Sequence, residues 1–399
     1  MISLELVRRS PDLIKESLRK RNENASVVDQ LLLIDKKNRE LLLKQETLQA
    51  KKNLLDKTAG ANRQEQTKLK EELRLLKEKI FRLQEQDLAG LLAQLPNVVV
   101  EDVPGGRDAR DNKVVETIGK VEKRAGLSHE ELMIKHDWLD LETAGEFSGS
   151  RFRYLKNQAA LKHMKLMNLA IEHAVENGFK FIIPPTMAHA KTMQATGFFP
   201  RGIEEAYKVD EDSYLAGTSE PMLLALSANK KYLAKDLPIR LVGFSTCFRR
   251  EAGSYGRDVK GMFRVHQFDK VEMVSVVSPE DSAKEHEFLV SLQESFVKKF
   301  DLPYQKVLLC AADQSHIAAK QFDLETWFPS QQKYRETHSC SNCLDYQARE
   351  LKIKVVGKDG EPILAHTLNG TLATERLLLA VIENNQNLDG EVTWPKILK

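Results

Sequence analysis

Apolar residues recur at intervals of three and four across most of the first hundred positions. One stripe, with the spacing of a coiled coil, consists of Leu31, Ile34, Leu41, Leu48 and Leu55. The pattern breaks at residues 58–62, and a second stripe follows, made of Leu69, Leu73, Leu76, Ile80 and Leu83. Two similar stripes joined by a short glycine-containing turn predict an antiparallel helical hairpin over about residues 27–95. Each arm, of about 30 residues, would be on the order of 45 Å long.

The hydrophobic pattern changes after residues 98–111, where Pro104, Gly105 and Gly106 indicate a linker. The segments that follow are short β-prone runs at 179–183, 240–244, 263–268, 270–277 and 306–309, and helical stretches at 158–177 and 279–300. Their irregular alternation favours an α+β domain with an antiparallel sheet over repeated βαβ units. We therefore predict an N-terminal helical domain over residues 1–103 and an α+β domain over residues 104–399.

Charge is distributed unevenly along this chain of 399 residues, whose formal net charge is only +2. Residues 35–82 contain 14 Lys or Arg and 8 Asp or Glu, so the predicted hairpin is basic. A basic segment indicates a polyanionic partner, for which Lys51, Lys52 and Lys57 are candidate contacts. A solvated lysine-rich helix face that serves only as a spacer or in dimerisation is the alternative.

No apolar run approaches the length of about 18–20 residues that spans a bilayer, so no membrane association is expected. Glu5, Arg8 and Arg9 interrupt the N-terminus where a signal peptide would be apolar, and a cytoplasmic location is expected. The sequence contains neither a Walker A motif nor a G-x-G-x-x-G after a strand, so neither common nucleotide-binding fold is indicated.

The four cysteines are too few for a disulfide framework. Cys340 and Cys343 form a C-x-x-C pair with His338 nearby, a spacing that occurs in zinc sites. There is no second C-x-x-C, so we expect no structural zinc. Small packed core residues are the simpler interpretation of Cys247 and Cys310.

Residues 248–272 carry the most informative charged pattern. The sequence Phe-Arg-Arg-Glu-Ala-Gly at 248–253 precedes a polar loop and a second β-prone run, which suggests strand, loop and strand. The period of two would place Arg249 and Glu251 on one face of their strand, directed into one cleft. Arginine can bind a phosphate or carboxylate through two parallel hydrogen bonds. A surface ion pair is the alternative interpretation of Arg249 and Glu251.

This stretch resembles the second signature motif of class II aminoacyl-tRNA synthetases, in the form found in the seryl-tRNA synthetase family. Further segments resemble the family's motifs in the same order along the chain: residues 178–185 the first motif, 218–220 the T-x-E loop, 336–349 the metal- and ATP-binding strand, and 366–376 the third motif. The N-terminal hairpin is similar to the family's tRNA-binding arm. The resemblance implies a class II antiparallel sheet flanked by helices, with that hairpin as a separate domain.

The resemblance also implies roles for individual residues. The implied ATP-binding set is Arg249, Arg250, Glu251, Phe268, Glu336, Thr337, His338, Ser339 and Arg376. Within it, Arg249, Glu336 and Arg376 would be catalytic, and Glu336 with Ser339 would hold Mg²⁺ through ATP. The implied serine-binding set is Thr218, Ser219, Glu220, Arg249, Glu272 and Thr371.

The activity that the resemblance implies is ATP-dependent conversion of L-serine to seryl-adenylate, followed by transfer of serine to tRNA(Ser), with tRNA(Sec) as a further expected acceptor. Its cofactors would be ATP and Mg²⁺. The first motif implies a homodimer, and no DNA partner is expected.

Departures from the family's motifs leave alternatives open. The third motif is one residue shorter than usual, and Glu375 stands where a small residue normally precedes the arginine. A carboxylate beside a phosphate site is unfavourable unless it points away. His338 replaces a smaller residue, and Pro221 follows the T-x-E loop. A tRNA-binding homologue with impaired activation is therefore one alternative. An enzyme that charges a carrier protein is another, disfavoured by the long hairpin.

Overall fold

We describe the protein from a computed structural model, over residues 1–57, 62–121, 126–252, 262–357 and 360–399. The chain forms two compact units, Met1–Val98 and Val99–Lys399. The boundary lies a few residues before the predicted one at residue 103. Among the helices of the described ranges, none is long and apolar enough to cross a membrane.

The first unit is helical throughout its regular structure. Its α-helices are α1 Leu4–Arg9, α2 Pro11–Lys20, α3 Ser26–Lys57, α4 Arg63–Arg82 and α5 Ala89–Gln94, with a π-helical turn at Leu83–Leu88. Helices α3 and α4 are antiparallel, since Lys44 pairs with Glu72 and Lys51 pairs with Glu65, each at 3.0 Å. The predicted coiled-coil hairpin is thus confirmed, while residues 58–61 of its predicted turn lie outside the described residues.

The two stripes differ in burial along the hairpin. Leu69, Leu73, Leu76 and Ile80 of α4 are all buried, which the stripe predicted. Leu48 of α3, by contrast, is only half-buried, as expected where a side chain has a single neighbouring helix to pack against.

The base of α3 also buries a charge that the stripe does not include. Asp35 is fully buried and pairs with Arg8 at 2.5 Å and Arg39 at 3.1 Å. The hydrogen bond from Arg8 lowers the pKa of Asp35 below its usual value despite burial.

The second unit is built on one large sheet of eight strands. They are β1 Lys113–Ile118, β4 Lys180–Ile182, β9 Ile239–Phe248, β10 Gln267–Val277, β11 Tyr304–Leu308, β12 Lys320–Phe328, β13 Lys333–Asn342 and β16 His366–Thr374. Their order in the sheet is β1-β11-β12-β13-β16-β10-β9-β4, and every neighbouring pair is antiparallel except β4 with β9. The predicted α+β fold is confirmed.

Smaller sheets and helices complete this unit. The remaining strands are β2 Leu139–Asp140, β3 Tyr154–Leu155, β5 Met187–His189, β6 Tyr207–Lys208, β7 Ser213–Leu215, β8 Lys231–Leu233, β14 Lys354–Val356 and β15 Pro362–Leu364. The helices are α6 His129–Lys135, α7 Glu142–Ser148, α8 Asn157–Glu176, α9 Ala190–Ala195, α10 Glu220–Ala225, α11 Ser282–Lys298, α12 Tyr346–Leu351 and α13 Glu375–Asn384. Helices α8, α11 and α13 pack on the large sheet and form its main core, with Leu166, Leu289 and Leu378 among the buried side chains.

One strand prediction is wrong. The run at 263–268 was expected to be a strand, but β10 begins only at Gln267. The side chains of Met262 and Phe263 are buried in the core instead. Their apolar character therefore reflects packing rather than membership of a strand, which periodicity alone cannot distinguish in so short a run.

Candidate active site

A cavity lies against the central strands β9, β10, β13 and β16. Of the residues that sequence motifs singled out, its lining includes Arg249, Glu251, Phe268, Glu336, Thr337, Ser339, Thr371 and Arg376. A second cavity shares Arg249, Glu251, Glu336 and Arg376 with it. Segments far apart in sequence thus meet at one place.

Arg249 occupies the position directly after β9. Its Nε donates to the carbonyl oxygen of Gly217 at 3.2 Å, and its guanidinium carbon is 5.1 Å from the centre of the Phe268 ring. A Cβ on Gly217 would be only 3.3 Å from the Arg249 side chain. The arginine is therefore held between a main-chain oxygen and an aromatic ring, and its other guanidinium nitrogens can face the cavity.

The prediction that Arg249 and Glu251 share one face of a strand is wrong. Strand β9 ends at Phe248, and Glu251 adopts a left-handed backbone conformation with φ of 52°. Both side chains still line the cavity, since the chain turns there rather than continuing extended. Glu251 pairs with Arg264 at 2.9 Å. The predicted polar loop, residues 254–261, lies outside the described residues.

Arg250 is placed differently from its neighbours. Its backbone N–H donates to the carbonyl oxygen of Glu205 at 2.8 Å, and it is not among the residues that line either cavity.

Glu336 and Arg376 form an ion pair at the cavity wall, with Nη1 2.9 Å from Oε2. Burial disfavours the charged form of each of these two groups. The attraction of Arg376 nevertheless lowers the pKa of Glu336, and Glu336 raises the pKa of Arg376. Nearby, the hydroxyl oxygens of Ser339 and Thr371 are 3.4 Å apart. The wall therefore presents a charged carboxylate and two hydroxyls, which are oxygen ligands suited to Mg²⁺.

A bulge explains which residues of β13 face the cavity. Glu325 of β12 pairs with Glu336 and Leu324 pairs with His338, so Thr337 is the extra residue. Glu336, Thr337 and Ser339 consequently line the cavity, although strict alternation would group Glu336 with His338.

His338 faces away from the cavity. It is fully buried, with its Nε2 3.0 Å from the carbonyl oxygen of Leu372 and its Nδ1 2.9 Å from the Thr337 hydroxyl. Burial lowers its pKa to about 4, so the ring is neutral near pH 7. These contacts describe a packed histidine, and they do not place it with the other predicted ATP-binding residues.

A buried ionic cluster adjoins the cavity, whose lining includes its members Lys270 and Thr371. Lys270 Nζ is 2.5 Å from Glu272 Oε2 and 3.2 Å from the Thr218 hydroxyl. The Thr371 hydroxyl donates to Glu272 Oε2 at 3.2 Å. Lys270 was not predicted from the sequence. Its position two residues before Glu272 on a strand, hence on the same face, is the signal that could have found it.

Glu220 lies behind this cluster rather than on the cavity lining. It is buried and accepts hydrogen bonds from Gln347 at 2.7 Å and Asn369 at 3.0 Å. Burial, together with the charge of Glu272, raises the pKa of Glu220 to about 7. Ser219 is also buried, and its hydroxyl has no hydrogen-bond partner in the part of the chain that the structure describes.

Glu375, the residue that departs from the third motif, is turned toward Arg153. The two side chains form an ion pair and are 8% and 7% exposed. Glu375 also accepts a hydrogen bond from the backbone N–H of Asp269 at 3.3 Å. Glu375 also belongs to the lining of the cavity, where the positive charge of Arg153 compensates its carboxylate.

Cys340 and Cys343 are both fully buried. Burial raises the pKa of each thiol well above its usual value, and zinc requires the thiolate. This environment does not favour zinc binding.

Of the predicted contact residues of the basic arm, Lys51 and Lys57 are exposed and Lys52 is half-buried. Lys51 pairs with Glu65 at 3.0 Å and Lys52 pairs with Asp56 at 2.6 Å, while Lys57 is the last residue of α3. Exposed pairs of this kind contribute at most about 1 kcal/mol, so a polyanion could replace the acidic partners.

Comparison with known proteins agrees with this arrangement. Residues 205–385 match the family model of the tRNA synthetase class II core domain (G, H, P, S and T). The large sheet and its cavity are therefore those of a class II aminoacyl-tRNA synthetase.

Two further comparisons narrow the family. Residues 1–100 match the model of the seryl-tRNA synthetase N-terminal domain. Curated proteins named serine–tRNA ligase from Thermobifida fusca and Hydrogenobaculum are each 40% identical, covering 100% of this chain and 97% and 98% of those proteins. The chain belongs to the seryl-tRNA synthetase family.

Solved structures of seryl-tRNA synthetases are also similar to this chain. The seryl-tRNA synthetase of Pyrococcus horikoshii, crystallised with ATP, superposes with a TM-score of 0.91 at 33% identity, covering 100% of this chain and 97% of that one. The cytoplasmic serine-tRNA ligase of Naegleria fowleri, in complex with AMP, gives a TM-score of 0.87 at 31% identity, covering 100% and 96%.

Proposed function

We propose that this protein activates L-serine with ATP to form seryl-adenylate and then transfers serine to tRNA(Ser). The observation that carries the proposal is the meeting of Arg249, the Glu336–Arg376 pair and Lys270 in one cavity, with Glu272 paired to Lys270 beside it. Such a cavity offers positive charge for phosphates beside a polar pocket for a small zwitterion. Family membership supports both substrates.

Arg249 binds the α-phosphate and the serine carboxylate. Activation joins a carboxylate oxygen to the α-phosphorus and releases pyrophosphate, so two anions must be brought together in line. A fixed guanidinium lowers their repulsion and stabilises the charge that develops at the phosphorus. The contacts of Arg249 to Gly217 and Phe268 support this role, because they hold the arginine in place before substrates bind.

The adenine ring binds between Phe268 and Arg376. Both side chains line the same cavity, and each can stack on a face of the ring. Glu251 then accepts a hydrogen bond from the adenine amino group. Its present partner, Arg264, would have to share that carboxylate.

Glu336 and Ser339 hold Mg²⁺ together with the phosphates of ATP. The oxygen-only donor set fits this cation, which prefers carboxylates and phosphate oxygens. When bound, Mg²⁺ neutralises phosphate charge and so favours the departure of pyrophosphate. Arg376 pairs with Glu336 and can turn to the γ-phosphate when the carboxylate is engaged.

The serine side chain and ammonium bind at the ionic cluster, where Thr371 lines the cavity. Thr218 and Glu272 contact Lys270 beside it, and the charge of Glu220 acts from behind them. A buried carboxylate that needs a hydroxyl partner is left unpaired by alanine, which penalises the wrong substrate more than a missing methyl does.

The pairing of the Glu375 carboxylate with Arg153 favours activation over the alternative of a tRNA-binding homologue with impaired activation. The basic hairpin would contact tRNA through Lys51, Lys52 and Lys57. A homodimer, a cytoplasmic location and charging of tRNA(Sec) stay predictions.

Replacement of Arg249 tests the proposed chemistry. In Arg249→Ala, we expect serine-dependent exchange of pyrophosphate into ATP to fall by about 100-fold or more, because one transition-state contact is lost. Binding of tRNA, measured by filter retention, should remain at the wild-type level. Exchange within about threefold of wild type would contradict the role of Arg249.

A further inference from the structure

The ion pair between Arg153 and Glu375 links segments that belong to different parts of the catalytic unit. Arg153 lies just before β3, and Glu375 is the first residue of α13. Their side chains are 7% and 8% exposed, so the charges are almost completely removed from water. An isolated buried charge is costly, and each side chain therefore depends on the other.

The two members of the pair form hydrogen bonds to strand β10 on either side of Phe268. Arg153 Nη1 donates to the carbonyl oxygen of Gln267 at 2.5 Å. Glu375 accepts from the backbone N–H of Asp269 at 3.3 Å. The two residues that flank Phe268 are thus fixed by the two members of one ion pair.

The same pair is attached to the segment that carries Arg376. Glu375 immediately precedes Arg376, and the N-cap Thr374 accepts a hydrogen bond from the Arg376 backbone N–H at 3.3 Å. A carboxylate in the first turn is also favoured by the helix dipole. Any shift of Glu375 would accordingly move the start of α13 and the base of Arg376.

We propose that Arg153 and Glu375 are positioning residues that set the spacing of the adenine slot. They join the strand that carries Phe268 to the helix start that carries Arg376, the two walls between which adenine binds. The inference rests on the proposed function of these two walls. Glu375 departs from the third motif, and in this proposal its ion pair with Arg153 is what keeps the motif's Arg376 in position.

Two neighbouring groups continue this network. His163 Nε2 is 2.9 Å from Asp269 Oδ2 and 4.0 Å from Glu375 Oε1, and the Thr246 hydroxyl donates to Asp269 at 2.7 Å. Ligand atoms of His163, Asp269 and Glu375 are close enough to hold a metal ion. The guanidinium of Arg153 already supplies a positive charge at this carboxylate, which favours an ion pair over a metal site.

Single and double substitutions separate positioning from stability. Arg153→Met or Glu375→Gln alone leaves one buried charge unpaired, so both should lower the melting temperature. The double variant removes both charges and should recover most of the lost stability. In the double variant the two hydrogen bonds to β10 are weakened or lost. The strand that carries Phe268 is then no longer joined to the helix start that carries Arg376.

The decisive readout is pyrophosphate exchange by the double variant, with KM measured separately for ATP and serine. We expect the KM for ATP to rise about tenfold, since misplaced binding groups weaken nucleotide binding, while the KM for serine stays within about twofold of wild type. A KM for ATP within about twofold of wild type would overturn the inference, as would equal increases for both substrates.

Another ion pair in the same unit, in which Glu285 is buried and Arg240 is half-buried, provides a control. Arg240 Nη2 is 2.7 Å from Glu285 Oε2, and this pair is not among the residues lining the active-site cavity. Glu285→Gln should lower the melting temperature yet leave the KM for ATP unchanged. An equal rise of the KM for ATP in this control would show that any destabilisation has the effect, and the inference would fall.

Phe268→Ala distinguishes failure of the inference from failure of the adenine slot. If this variant raises the KM for ATP while the double variant does not, the binding of adenine at Phe268 is supported and the positioning role of Arg153 and Glu375 is refuted. If it leaves the KM for ATP unchanged, the slot itself is refuted and the inference falls with it.

Discussion

Glu272→Gln is the substitution that most directly probes serine recognition. The side chain is only 2% exposed, and its Oε2 lies 2.5 Å from Lys270 Nζ and 3.2 Å from the Thr371 hydroxyl. Glutamine has nearly the same shape, so the substitution removes a charge while largely preserving packing.

The magnitude follows from the contact that is lost. A hydrogen bond to a charged group contributes about 1.5–3 kcal/mol, which corresponds to roughly a 10- to 150-fold weaker interaction. We therefore expect the KM for serine to rise by about that factor. The KM for ATP should change by less than about threefold, because the contacts of the Glu272 carboxylate are to Lys270 and Thr371 rather than to Phe268 or Arg376.

The assay is pyrophosphate exchange at saturating ATP with serine varied, and then with alanine varied. If Glu272 contacts the substrate hydroxyl, the preference for serine over alanine falls with the substitution. If it contacts the ammonium, both amino acids are weakened equally. The melting temperature of the variant serves as a control for folding, since Lys270 loses a partner.

A KM for serine within about twofold of wild type would refute the reasoning, because the carboxylate would then have no substrate contact. An equal loss of ATP binding would refute it too, since the site would have collapsed as a whole.

Further predictions concern the arm and the buried carboxyl group. Reversing the charge of Lys51, Lys52 and Lys57 to Glu should weaken tRNA binding and flatten its dependence on salt while sparing exchange; unchanged RNA affinity would mean that the arm is a spacer. Burial, with the charge of Glu272, raises the pKa of Glu220 to about 7, so its negative charge appears as the pH rises through that value. The KM for serine should therefore fall over this range, and Glu220→Gln should abolish the trend. The stabilising effect of the protonated Glu220 is complete below its usual pKa of 4.5 and is lost as the pH rises from there through about 7, because the native state binds its proton more tightly than the unfolded state; denaturant titrations at several pH values would detect the change, and identical pH dependence in Glu220→Gln would contradict it.

Periodicity predicted the hairpin because a two-helix arm has only one apolar seam, which appears directly as Leu69, Leu73 and Leu76. The α+β domain was predicted from irregular alternation of strands and helices. The order of the strands in the sheet was not predicted, because the pairing of β16 with β13 and with β10 joins segments that are distant in sequence.

The site residues were found through motif resemblance, and their orientation required the structure. The bulge at Thr337 reverses the alternation of β13, which turns His338 toward the carbonyl of Leu372. The left-handed turn at Glu251 likewise replaced an expected strand. Neither irregularity has a signature in a single sequence.

Arg153 could not have been connected to Glu375 from the sequence alone. The two residues lie in different elements, and an arginine before a short strand is ordinarily a surface residue. Their pairing supplies a positive charge at the carboxylate that precedes Arg376.

Serine-dependent exchange of labelled pyrophosphate into ATP tests the central claim most directly, because it measures adenylate formation without tRNA. The proposed function predicts rapid exchange with L-serine and at least about 100-fold slower exchange with alanine, which leaves the buried carboxylate unpaired. Absence of exchange with every amino acid would contradict the proposed activation, and exchange with a different amino acid alone would contradict the assignment of serine.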